Sequence, residues 1–190
     1  MEFKPNLADI VERMRRFWRL EQPLDRVPAL VTLPADPQWK GDGTFFGRLD
    51  DYIASQERHL DLQAEVPDDA IPMVHPQYGH ALVAALCGSP IHASSGTVWA
   101  VPFLRSLEQA EELRLAWDNE WGGRFQEDLG RLREWARGRC ALANYEVEGV
   151  ADTMAALCGT AEVMLAAHER PETLAHFAAR VTGLLIEFGL

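Results

Sequence analysis

Residues 68–88, DDAIPMVHPQYGHALVAALCG, are the stretch on which the fold turns. AIPMV (70–74) is a short apolar run with strand-forming side chains, and Pro67-Asp68-Asp69 ends the element before it. HPQYGH (75–80) is polar and carries loop signals. ALVAALCG (81–88) has the small apolar composition of a short buried helix, stopped by Gly88. A buried strand, a polar loop and a helix in succession make one β/α unit, the repeating piece of a parallel sheet.

Working outward, the same alternation recurs on both sides. Residues 7–21, LADIVERMRRFWRLE, set Ile10, Met14, Phe17 and Trp18 at helical spacing, with Asn6 as N-cap and Pro23 closing the helix. VPALVTL (27–33) reads as a buried strand, and Pro34, Pro37, Gly41 and Gly43 mark a long loop after it. A helix is expected from Leu49 to about Ala64. Beyond Gly88, residues 90–103 suggest a small hairpin, and Ser106 with Gln109 forms a capping-box pattern ahead of a helical stretch over 107–115. Residues 118–137 form an amphipathic helix that turns Trp121, Phe125, Leu129, Leu132 and Trp135 toward a core, with Gly138 as its C-cap. CALANYEV (140–147) is the third strand candidate, followed by a loop over 148–152 and the helix TMAALCG. Pro171-Glu172 opens a last helix with Leu174, Phe177, Val181 and Leu184 or Leu185 on one face.

The expected class is therefore α/β, a single domain over 1–190 built on a parallel sheet. Three strands are used in 190 residues, whereas a closed (β/α)8 barrel needs about eight. The chain is thus expected to hold only part of such a barrel, and to pair with a further copy or with a missing C-terminal half.

Three cysteines (Cys87, Cys140 and Cys158) lie far apart with no metal-ligand spacing, which points to a reducing compartment and to no metal or disulfide. No uncharged run approaches the roughly eighteen residues of a membrane span, and the opening residues carry no leader-like apolar core. A cytoplasmic chain without a membrane partner is expected. The formal net charge of −11 would repel phosphate backbones, so nucleic acid is not an expected partner.

Three stretches in this order resemble the uroporphyrinogen decarboxylase superfamily: RMRRFWRLEQPLDRVPALV (13–31), the stretch 68–88 quoted above, and ANYEVEGVADTMAALCGTAEVMLAAHERPETLAHFAARVTGLL (143–185). They are similar to the family's opening helix and first strand, its second strand and short helix, and its following strand and helices. The resemblance implies a TIM barrel, of which this chain would supply the first three β/α units behind a helical N-terminus. It also implies a carboxy-lyase that removes carboxylates from a tetrapyrrole without a cofactor. A corrinoid- or thiol-dependent methyltransferase of the same superfamily, acting on a methylated compound, and a non-catalytic assembly partner are the alternatives. The family's arginine-bearing segment after the first strand corresponds to LPADPQWKGDG (33–43), which has no arginine, and the stretch matching its second-strand aspartate, MVHPQYG (73–79), has no aspartate.

Functional side chains of such barrels gather just past the strands. That rule selects His75, Gln77, Tyr78 and His80 after the second strand, where histidines and a tyrosine can transfer protons or bind an anion near neutral pH. It also selects Glu146, Glu148 and Asp152 after the third, where crowded carboxylates share protons. We take His75, Glu146, Glu148 and Asp152 as the candidate catalytic set, and Tyr78, His80 and Trp99 as substrate contacts. The bland alternative is that one acid caps the next helix, that the tryptophans are core, and that Cys87 and Cys158 are buried structural thiols.

Overall fold

The computed structural model describes residues 2–21, 26–31, 33, 48–76, 78–94, 97–145 and 147–189. In chain order its elements are α1 (Leu7–Trp18), α2 (Leu49–Ala64), β1 (Met73–Val74), a 3-10 turn and α3 (Leu82–Leu86), and the strands β2 (Ile91–Ser94) and β3 (Thr97–Ala100). A 3-10 helix (Leu107–Glu112), α4 (Glu120–Ala136), β4 (Ala141–Leu142), α5 (Val150–Cys158), α6 (Thr160–Glu169) and α7 (Pro171–Gly189) complete it. The described residues divide into two compact units, one drawn from positions up to 76 and from 129–144, the other from 78–128 and 145–189.

In the first unit β1 and β4 pair in parallel, Met73 opposite Ala141 and Val74 opposite Leu142. The amides of Ala141 and Ala143 donate to Pro72 and Val74, each at 2.8 Å. Val74 is fully buried, as are Ile10 of α1, Leu60 of α2 and Leu132 of α4, so each of these helices turns an apolar position inward. Helix α1 ends earlier than its spacing suggests. Leu20 adopts φ +57°, and the Glu21 amide reaches back to the Arg16 carbonyl. Trp18, the last residue of α1, is 75% exposed.

The segment expected as a buried strand at 27–33 forms none at the described positions 27–31 and 33. Val27 and Leu30 are exposed. The physical reason is that carboxylates take the amides a ladder would use. The Ala29 amide donates to Asp69 and the Val31 amide to Asp68, each at 2.9 Å, while Pro28 has no amide to give. Residue 32, Pro23 and the loop at 34–47 lie outside the described residues.

These two aspartates are the ionic centre of the unit. Lys4 donates to Asp68 at 2.6 Å and to the Val66 carbonyl at 3.0 Å, and both ion-pair side chains are 1% exposed. Asp69, fully buried, accepts from Arg13, from both terminal nitrogens of Arg26 and from the Ala29 amide. Burial pushes each carboxyl up, but the hydrogen bonds and cations outweigh it and hold both below the usual carboxylate value.

In the second unit β2 and β3 form the expected hairpin, antiparallel, with Ile91 opposite Ala100 and His92 opposite Trp99. Helix α3 has every residue buried, as suits a five-residue helix that only tertiary packing can hold. The capping box at Ser106 and Gln109 is formed, but the helix it starts is a short 3-10 turn that stops at Glu112. Helix α6, which the spacing did not single out, meets α5 at 109° across Gly159 (φ +94°). Leu157, Phe177, Val181 and Leu184 are buried beside it. The Leu157 carbonyl accepts amides from Phe103 (3.0 Å) and Leu104 (3.1 Å), which ties the segment after the hairpin to α5. Among the described residues no single helix is long and apolar enough to cross a membrane.

Candidate functional site

The chain leaving β1 divides its candidate residues between the two units. His75 stays in the first: its amide donates to the Tyr52 hydroxyl at 3.3 Å, and its Nδ1 lies 3.4 Å from the Pro76 carbonyl. Tyr78 belongs to the second. It is 2% exposed, and its hydroxyl donates to Asp128 Oδ2 at 2.6 Å. Burial, then the hydrogen bond to Asp128 and the charge of that carboxylate, push the phenol far above its ordinary value. Tyr78 is therefore a fixed, neutral donor.

A group of rings forms around it. Phe125 of α4 meets Tyr78 edge-on at 5.4 Å and Tyr145 edge-on at 5.9 Å. Phe188 of α7 stacks on Trp117 at 5.7 Å with the rings 10° apart, and meets Tyr145 at 5.7 Å. Such edge and offset contacts stabilise aromatic groups beyond simple burial. The Tyr145 hydroxyl donates to the Gly79 carbonyl, so the residues following β1 and β4 are joined. Gly79 has φ +58°, and a Cβ there would lie 2.9 Å from that of Val98, so only glycine fits. The cluster thus offers one buried carboxylate-linked phenol, a second phenol committed to backbone, and three hydrophobic rings.

The other candidates are placed differently. Glu146 and Gln77 lie outside the described residues, as does the side chain of His80, whose backbone sits in the turn before α3. Glu148 is half-buried ahead of α5. Asp152 is exposed in the first turn of α5, and its carboxylate folds back so that a Cβ at Gly149 would lie 3.2 Å from Oδ2. An acid there complements the helix dipole, a structural role. Trp99 is half-exposed and pairs with His92 at 5.6 Å on the hairpin, outside the ring cluster. Of the tryptophans expected as core, Trp117 joins the cluster, and Arg124 lies 6.0 Å over the Trp121 ring. Among the described residues no three His, Cys, Asp or Glu side chains come close enough to hold a metal. Burial pushes the thiols of Cys87 and Cys158 up to about 11, as expected for inert structural cysteines.

Sequence reasoning missed Asp128, Tyr145 and Phe188. Asp128 follows Phe125 by three positions on α4, the helical spacing that places both beside Tyr78, and this was the available signal. Tyr145 stood in the third strand candidate, masked by the acids beside it. Comparison of the chain with protein-family models, with curated proteins and with solved structures finds no match.

A Tyr78→Phe change keeps the ring packing and removes the bond to Asp128. We expect a loss of about 1.5–3 kcal/mol in unfolding free energy, since a hydrogen bond to a charged group carries about that much. Urea unfolding followed by circular dichroism measures it. A neutral result would show that Asp128 is fully served by water.

Proposed function

We propose that this chain is part of a uroporphyrinogen-decarboxylase-type β/α barrel that presents an aromatic wall to a tetrapyrrole substrate. One observation carries the reading. β1 and β4 run parallel, and the residues shortly after each, Tyr78 and Tyr145, enter one ring cluster. Residues just past parallel strands form the binding face in barrels of this class. Pyrrole rings offer π-faces to such a wall and N–H donors to nearby carboxylates. Decarboxylation breaks a carbon–carboxylate bond, releases CO2 and adds one proton to the carbon left behind, so it needs a positioned proton source. Glu148, half-buried ahead of α5 in the second unit, is the group proposed for that role, with Tyr78 on the substrate. The reading requires further strands beyond β1 and β4, from more chain or from a second copy.

The test has two arms. Uroporphyrin added to the purified protein is expected to quench tryptophan emission saturably, and Trp117→Phe or Phe188→Ala to reduce that quenching severalfold. Uroporphyrinogen, incubated anaerobically, is then expected to lose carboxylates, as followed by chromatography of the oxidised products. The absence of both quenching and product would sink the reading. Methyl transfer from methylcobalamin to a thiol would move the chain to the methyltransferase branch instead.

A further inference from the structure

The second unit contains a solvent-open cleft of about 400 Å³ that shares no residue with the ring cluster. Its apolar wall is Phe103, Leu104, Leu113 and Ala116, and Cys87 and Gly88 line it too. Gly88 has φ +107°, and a Cβ there would touch the Phe103 ring at 4.0 Å, so the missing side chain leaves that ring face clear.

The polar groups around the cleft are unequally satisfied. Asn119 is used up: its amide nitrogen donates to the Ala85 and Leu86 carbonyls, and its oxygen accepts from the Gly122 amide. Gln109 has its oxygen committed to the amides of Arg105 and Ser106. Arg114, on the lining, makes no ion pair among the described residues. Arg180 of α7 reaches the same wall, since its Nη2 donates to the carbonyl of the lining residue Leu113. Its Nε is buried and has no hydrogen-bond partner among the described residues. Arg180 itself is not on the lining, so it acts on the cleft through its charge, which is felt at Cys87 and opposed there by Glu187. The one acid on the lining, Glu112, is exposed and screened by water.

We propose that this cleft binds a small carboxylate with an apolar body, its flat part on Phe103 and Leu113 and its carboxylate toward Arg114. A cationic side chain beside an apolar wall selects an aryl or branched aliphatic acid over a neutral molecule of the same shape. The volume suits a ligand of drug-fragment size, at the lower end of ordinary binding pockets.

The test uses 2-naphthoate and its neutral isostere 2-naphthamide, titrated calorimetrically into the full 190-residue chain. The acid is expected to bind at least tenfold more tightly than the amide. Arg114→Gln, an exposed position that should not disturb folding, is expected to weaken the acid about tenfold and leave the amide unchanged. Arg180→Gln, which removes a charge behind the lining and no direct contact, is expected to weaken it less than Arg114→Gln does. Equal affinity for acid and amide, an unchanged Arg114→Gln, or no heat with millimolar naphthoate would each overturn the proposal.

Discussion

Asp68→Ala is expected to lower the unfolding free energy by ~3–5 kcal/mol, the usual cost of stripping one partner from a buried ion pair. The change leaves the Lys4 ammonium 1% exposed beside a single carbonyl and deprives the Val31 amide of its acceptor. Against a typical total of about 5–15 kcal/mol, that is a large fraction. Urea midpoints by far-ultraviolet circular dichroism measure it. The double change Lys4→Met with Asp68→Leu removes both charges and should recover most of the loss, because a buried pair often does no better than an apolar one. If the double variant is as unstable as the single one, the hydrogen bond to Val31 and not the charge is what matters.

The same group fixes the response to acid. Asp68 and Asp69 both have folded values below their unfolded ones, so their contribution is fully present above the unfolded value of about 3.9 and is lost as pH falls through the folded values. Stability should therefore be flat with respect to these two groups down to about pH 4 and decline below it. In Asp68→Ala that acid limb should be shallower.

Gly122→Ala is the second large effect. Alanine in a helix is normally better than glycine by about 0.5–1 kcal/mol. Here a Cβ at 122 would lie 2.4 Å from the Trp117 carbonyl oxygen and 2.7 Å from its carbonyl carbon, both backbone atoms that cannot swing away. Overpacking of this kind costs about 1–3 kcal/mol, occasionally more, and we expect the upper end. Gly123→Ala, one position along on the same helix with open space around it, supplies the control and should be neutral or slightly stabilising. Near-ultraviolet circular dichroism should change for the first and not the second, because Trp117 stacks on Phe188. Equal behaviour of the two variants would mean that the start of α4 shifts without cost.

Helices with clear spacing and caps were legible in the sequence. α2 and α7 occupy the ranges read from apolar periodicity and proline, and the Ser106–Gln109 box forms at the residues that encode it. What escaped was decided by partners distant in sequence. VPALV has strand composition, but its amides are taken by carboxylates some forty positions away, which no local pattern reveals. Leu20 has no turn propensity, yet takes a left-handed conformation where α1 ends. The site was half legible. Tyr78 was found by its place after a strand, whereas Asp128 and Phe188 reach it from helices far along the chain.

Helices α5 and α6 together have the length and apolarity of a membrane-crossing segment, and only the 109° break divides them. A residue that preferred helical backbone at 159 would favour a single rod through residues 150–169, close to the roughly twenty residues that span a bilayer. One glycine thus keeps two short apolar helices folded back on each other, so that Met154, Leu157 and Ala166 are buried within the protein and not along one continuous rod.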